Sequence, residues 1–239
     1  MANGFPTTAP VAGGGNKQVP PYMILISIAA AIAFALLSLL AYPAREELFT
    51  KTVDWVADSG SGPIVGLIAD KGLLVLVAAA GALAVRFLFR SIRRFRVLVA
   101  AEAGVITAYA LSEVIKLLVA EARPCSSIDV ASVLSCPGAG DWSWPSNHSV
   151  LAAAFATACM LTAARTTWFT APIALVIAGS RVAAGVHYVH DVLSGLALGT
   201  LVVTVTVVSL RPLLDRVLTH GKVFGRLGAA GGRYGGGDD

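Results

Sequence analysis

The residues able to do chemistry in this chain stand in three short groups, each at the end of a long apolar run. The first is Lys116 and Arg123, with Pro124 behind them. The second is Pro145-Ser146-Asn147-His148. The third is Ser180-Arg181, followed by His187 and Asp191. Lysine offers a compact charge, and arginine a planar fork that grips two oxygens at once. A histidine with one nitrogen held by a carboxylate has a fixed tautomer, and its other nitrogen is left as base or nucleophile. Three cations, two histidines and an orienting carboxylate suit in-line attack on a phosphate ester, with the cations taking the charge of the transferring group.

Each group has its own geometry and its own plainer explanation. A spacing of seven predicts Lys116 and Arg123 two turns apart on one helical face, with Pro124 ending that helix. The alternative is a lysine snorkelling toward the membrane edge. Pro145 to His148 reads as a helix start, where Ser146 or Asn147 caps and free N–H groups make an anion site. There Ser146 and the backbone near Asn147 can cradle phosphate oxygens, and His148 can protonate a leaving oxygen; ordinary capping is the alternative. Gly185 predicts the end of the helix carrying Arg181, and His187 and Asp191 then share one face of the next helix. His190 lies about 100 degrees away on that helix and reads as a bystander. Glu113, one turn before Lys116, reads as the partner of a cation. No metal is expected: no His-Glu-x-x-His spacing or cysteine cluster occurs, and a cationic pocket disfavours a metal ion. No cofactor is expected either.

The elements that must hold these groups are membrane helices. The chain has 239 residues, 56% hydrophobic and 13% charged, with a mean hydropathy of +0.75. A soluble domain carries about 45–50% apolar and about 25% charged residues. The net charge of +4 raises the question of nucleic acid, but the cations sit beside apolar runs and lack interleaved aromatics, so membrane topology explains them and no nucleic-acid partner is expected. A bilayer needs about 20 apolar residues per helix. Six stretches qualify: 22–42, 72–89, 97–120, 148–164, 168–184 and 192–210. The expectation is an all-α bundle of six transmembrane helices over residues 21–215. Residues 43–71 add an amphipathic helix at the interface, with Leu48, Phe49, Val53, Trp55 and Val56 among charges. Residues 1–20 and 216–239, rich in glycine, read as flexible tails.

Arg86, Arg90, Arg93, Arg94 and Arg96 crowd one connection, Arg165 stands in another, and Arg211, Arg216, Lys222 and Arg226 follow the last run. By the positive-inside rule these face the cytoplasm, which places both termini inside and all three polar groups at the outer side. Cys125 and Cys136 then flank an outer loop and are expected to form a disulfide. Cys159, inside an apolar run, reads as packing.

On these three motifs, spanning Lys116 to Asp191, the chain resembles the type 2 phosphatidic acid phosphatase superfamily of membrane lipid phosphatases and soluble haloperoxidases. Asn147 departs from the glycine the family usually has there. The resemblance implies metal-free hydrolysis in which His187 is the nucleophile and forms a phosphohistidine. Asp191 orients His187, and His148 protonates the leaving group. Lys116, Arg123, Ser146, Arg181 and the backbone near Asn147 would hold phosphate. The expected substrate is a lipid phosphate within the bilayer, most simply a polyprenyl diphosphate recycled at the outer face of the plasma membrane. Phosphatidic acid or phosphatidylglycerol phosphate, a lipid phosphotransferase and a transporter of anionic lipids remain as alternatives. The oligomeric state is not legible.

Overall fold

The computed structural model describes residues 19–130 and 132–230, with side chains described as far as residue 214. The stretch 1–18 and the last nine residues, read above as parts of the tails, lie outside the described residues. Among the described residues every regular element is helical. Helix α1 (Pro21–Ala41) has proline in its first turn, where the missing N–H costs nothing. A single tight turn (Tyr42–Ala44) leads into α2 (Arg45–Ser59). That helix buries Phe49, Val53 and Val56 along one face and leaves Trp55 exposed. It is the amphipathic element expected within residues 43–71, and α3 (Gly62–Lys71) completes the stretch. Then follow α4 (Leu73–Arg90), α5 (Ile92–Val119), α6 (Pro124–Ser127), α7 (Asn147–Thr162), α8 (Thr167–Ala183) and α9 (Val189–Ala230). Helical backbone in α9 thus runs on through the first part of the expected C-terminal tail.

The bundle is built around α7. From Ser149 onward most of its residues are buried, and it packs against α5, α8 and α9. Alanine dominates that surface, and α9 meets it with Gly195 and Gly199. A Cβ on Gly195 would stand 2.7 Å from the Ser146 carbonyl oxygen, and one on Gly199 would collide with the Val150 carbonyl. A small-xxx-small pair lets two helix backbones approach this closely without a hydrophobic driving force in lipid. The consequence for the site is that the start of α7 is locked to the start of α9, where the Ser146 N–H donates to the Asp191 carbonyl at 3.1 Å.

Among the described residues four helical stretches are long and apolar enough to cross a membrane: Pro21–Ser59, Gly62–Arg90, Ile92–Ser127 and Val189–Leu214. Large apolar side chains stand exposed along them, among them Leu25, Leu39, Leu40, Phe89, Leu117 and Leu118, as a lipid-facing surface requires. The other two expected spans are shorter helices, α7 with 16 residues and α8 with 17. At about 1.5 Å per residue they reach about 24–26 Å, less than the roughly 30 Å hydrocarbon layer. Four of the six expected spans are thus long enough to cross a membrane, and the other two are short helices. For α7 the shortfall has a physical reason: its sides are covered by protein, so its length need not match the lipid.

Candidate active site

Chain direction brings the polar groups together. The C-terminal ends of α3, α5 and α8 and the N-terminal ends of α7 and α9 meet at one end of the bundle. Arg86, Arg90, Arg93, Arg94 and Arg165 belong to the opposite helix ends, and Arg211 lies midway along α9. Two helix N-termini at the site end contribute positive dipole ends. Lys116 lies in the last turn of α5, which stops at Val119 because Ala120 turns left-handed at φ 50. Arg123 is extended, with φ −72 and ψ 147, as a residue before proline tends to be. The two cations therefore do not share a helical face, and Pro124 opens α6 instead of ending α5. They converge nonetheless. Lys116 Nζ lies 3.2 Å and Arg123 Nη2 2.8 Å from the same Asp141 Oδ1.

Arg123 is the hub. Its Nε donates to the Asp141 carbonyl at 2.8 Å, and its Nη1 donates to the Val186 carbonyl and to His187 Nε2, both at 2.9 Å. A guanidinium has no acceptor. In this contact His187 Nε2 must accept, so the imidazole proton sits on Nδ1. Asp191 Oδ2 lies 3.3 Å from that Nδ1. The carboxylate is itself held by Ser143 Oγ at 2.5 Å and the Tyr188 N–H at 2.8 Å. The result is a neutral imidazole with its proton directed at a fixed carboxylate and its lone pair directed into the cationic cluster. Burial is the main reason that His187 is pushed down to about 4; Asp191 opposes this, and Arg123 and Arg181 add to it.

His187 and Asp191 do not share a helical face either, because His187 precedes α9. Helix α8 ends in a Schellman turn: the Gly185 N–H donates to the Val182 carbonyl and the Val186 N–H to that of Arg181. Gly185 adopts φ 84, and a Cβ there would lie 2.7 Å from Ser132 Cβ. The chain turns sharply through His187 and Tyr188 into α9. Asp191, in the first turn of α9, reaches back to the Tyr188 N–H as the carboxylate of a capping box does. A local cap thus brings Asp191 to His187.

At the start of α7, Ser146 Oγ accepts from Ser149 Oγ at 3.2 Å. The side chain of Asn147 turns away from the cations. Its Oδ1 accepts from Ser112 Oγ at 2.6 Å, and its Nδ2 donates to Glu113. Glu113 is thus tied to the Asn147 amide, where the sequence suggested a cation, and Lys116 pairs with Asp141 instead. Of Asn147, the backbone is what faces the free end of the helix. His148 stands in the first turn of α7, close enough to feel the charges of Arg181, Arg123, Asp70 and Lys116. Arg181 is buried, donates from Nη1 to the Ala69 carbonyl at 3.1 Å, and has no hydrogen-bond partner on Nε. Cys125 and Cys136 are joined in a disulfide, on the segment that follows Arg123, and Cys159 is free and buried.

His190 is no bystander. It is buried, with Nε2 3.1 Å from Asp191 Oδ1 and 3.2 Å from Glu121 Oε2. These three residues each bring one potential ligand atom within 4.8 Å of the others, the one grouping among the described residues that could hold a metal ion. His190 Nε2 hydrogen-bonds to Glu121 Oε2, while its Nδ1 and the nearby Asp191 Oδ1 have no hydrogen-bond partner among the described residues. Sequence reasoning missed Asp141, Ser143, Glu121 and this role of His190. A signal existed for Asp141: three buried cations demand a counter-charge, and it is the carboxylate just before the Pro145–His148 motif.

The chain is similar to known proteins over this region. A 96-residue stretch is 33% identical to an undecaprenyl-diphosphatase of Sulfolobus acidocaldarius, covering 40% of this chain and 46% of that protein. The chain therefore spans about half the length of that relative. The fold matches the crystal structure of a transmembrane PAP2 type phosphatidylglycerolphosphate phosphatase from Bacillus subtilis, with TM-score 0.50 and 22% identity over 80% of this chain and 94% of that one. Together with its membrane-crossing helices, this makes the protein a multi-pass membrane protein. The family model of the PAP2 superfamily matches residues 97–213, the segment that contains Lys116, Arg123, Asp141, His148, Arg181, His187 and Asp191, and over it the chain is similar to that superfamily.

Proposed function

We propose that this protein is a lipid phosphatase that cleaves its substrate through a phosphohistidine on His187. The observation that carries the reading is the tautomer of His187: its protonated Nδ1 faces Asp191, and its Nε2 lone pair meets the Arg123 guanidinium at 2.9 Å. A phosphate drawn in by Lys116, Arg123 and Arg181 would meet that lone pair, with N–H groups at the start of α7 and the Ser146 hydroxyl on its other oxygens. His187 Nε2 attacks phosphorus, the bond to the leaving oxygen breaks, and His148 supplies that oxygen with a proton. Water, with His148 now acting as base, hydrolyses the phosphohistidine. The cations take the role a metal fills elsewhere, so turnover is expected to survive chelation, and vanadate is expected to inhibit as a mimic of the five-coordinate transition state.

The substrate reading is a polyprenyl diphosphate at the outer face of the plasma membrane. The undecaprenyl-diphosphatase relative supports it, and so does the site's position at the end of the bundle opposite the arginine-rich one. Beside the site a cavity of about 760 Å³ is lined by Ser38, Tyr42, Arg45, Glu121, Trp144 and His190 among others. It shares Ser38, Leu39 and Trp144 with an apolar groove of about 400 Å³ between α1, α5 and α9, room for an amphiphile to lie partly in lipid. Phosphatidylglycerol phosphate is the second candidate, on the strength of the Bacillus fold match. Phosphate release by the purified protein, measured in chelator across polyprenyl mono- and diphosphates, phosphatidic acid and phosphatidylglycerol phosphate, tests both. No release from any of them, or release unaffected by His187→Ala, would overturn the reading.

A further inference from the structure

Asp141 does not belong to the three motifs, yet it occupies the place where they converge. The carboxylate binds Lys116 at 3.2 Å and Arg123 at 2.8 Å through one oxygen. Its partners are buried, with 5% and 6% of their side chains exposed, whereas Asp141 is 51% exposed. It reaches in from solvent to neutralise an enclosed cationic pair. Arg123 has five N–H donors. Four of the five are committed, two to Asp141 and one each to Val186 and His187. A phosphate can therefore take two hydrogen bonds from Arg123 only by displacing a present partner. The hydrogen bond to His187 Nε2 raises the same difficulty, because it covers the lone pair that must attack.

We propose that Asp141 is a stand-in for substrate phosphate, a latch whose carboxylate is exchanged for the incoming phosphate before His187 can react. Resting on the phosphatase reading above, the exchange explains how the nucleophile is uncovered. Phosphate takes over Lys116 and Arg123 Nη2, the guanidinium is drawn toward it, and Nη1 leaves the His187 lone pair. The chain around Asp141 suits a moving part. Residues 138–141 are exposed, and Gly140 turns at φ 91 with nothing within 4 Å of an added Cβ. The segment is fastened on both sides: Cys136 by its disulfide, and Ser143 by its N–H to the Glu121 carbonyl at 2.8 Å. Only the tip between these anchors needs to swing. The anion released from the cations is a surface aspartate returning to water, so the exchange leaves no charge stranded in the interior.

The test compares wild type with Asp141→Asn and Asp141→Glu, using orthovanadate and a lipid phosphate in detergent. Asp141→Asn keeps the shape and removes the competing charge. It is expected to tighten vanadate inhibition three- to tenfold and to lower KM by a similar factor without lowering kcat, while Asp141→Glu stays near wild type. Vanadate affinity in Asp141→Asn that is unchanged or weaker than in wild type overturns the latch and makes Asp141 a fixed support of the cations. Should Asp141→Asn fail to fold, hydrogen exchange of the wild-type protein decides: amides of residues 138–142 must exchange faster with vanadate bound, and protection there refutes the proposal. Wild type that neither releases phosphate nor binds vanadate would instead refute the phosphatase reading, so the two failures are distinguishable.

Discussion

Asp191→Asn tests the core of the site, because it removes a charge while preserving nearly every contact. The carboxylate is fully buried. An asparagine with its oxygen in the place of Oδ2 still accepts from Ser143 Oγ, the Tyr188 N–H and His187 Nδ1, so the tautomer of His187 survives. What is lost is the negative charge 3.3 Å from Nδ1, which steadies the positive charge that grows on the ring as Nε2 bonds to phosphorus. At an effective dielectric of about 20 that interaction is worth about 5 kcal/mol. The amide dipole retains part of it, leaving a barrier increase of roughly 3–5 kcal/mol, or about 10²–10⁴ in kcat at 1.36 kcal/mol per tenfold. A second effect falls on stability. The new Nδ2 takes the place of Oδ1 and faces His190 Nε2 at 3.1 Å, setting donor against donor. Inverting the His190 tautomer would only move its proton to a buried Nδ1 that has no partner, so the variant should lose about 1–3 kcal/mol of stability. Adding His190→Ala should recover part of the stability but none of the rate. Single-turnover phosphate release and thermal unfolding of the two variants separate these effects. A folded Asp191→Asn protein slowed less than tenfold would refute the argument that Asp191 acts through charge on His187.

Other expectations follow from the same geometry. Arg123→Lys should reduce kcat/KM by about 10²–10³, because a single ammonium cannot span Asp141, Val186 and His187 from one point; a loss below fivefold would remove Arg123 from the hub. His187 titrates at about 4 folded against about 6.5 unfolded, so the folded state binds fewer protons between those values. Its contribution makes stability fall as pH drops from about 6.5 to about 4 and level off below, and His187→Gln should flatten that slope in thermal unfolding, whereas an unchanged slope would contradict the burial argument. The Cys125–Cys136 bridge closes a loop of sequence separation 11, worth on the order of 3 kcal/mol in the chain-entropy model; Cys125→Ser with Cys136→Ser should lower the unfolding midpoint, and mass spectrometry without reductant should find the two peptides linked in wild type.

How far the sequence could be read depends on the range of the interaction involved. Apolar length and helix breakers are local quantities, which is why the helical architecture, the amphipathic stretch near Phe49 and Val53, and the Gly185 turn were legible. Which residues gather at the site was legible too, since each stands at a helix end and alternating chain direction sends those ends to one side of the bundle. What failed was extrapolating a periodic spacing through a helix boundary. The seven-residue step from Lys116 to Arg123 crosses the left-handed Ala120, and the four-residue step from His187 to Asp191 crosses the start of α9. In both cases the side chains still meet, because a third group outside the spacing draws them together: Asp141 for the cations, the Tyr188 cap and Ser143 for the histidine and its carboxylate. Those groups were invisible because nothing local marks them. Ser143 is one serine among many, and Glu121 and His190 are 69 residues apart. Charge balance was the one non-local rule that sequence alone could have applied. Lys116, Arg123 and Arg181 gathered in an enclosed site require an anion even without substrate, and Asp141, in the loop before Pro145, was available to supply it. The cationic pocket that predicts a phosphate substrate therefore also predicts an internal anion to displace.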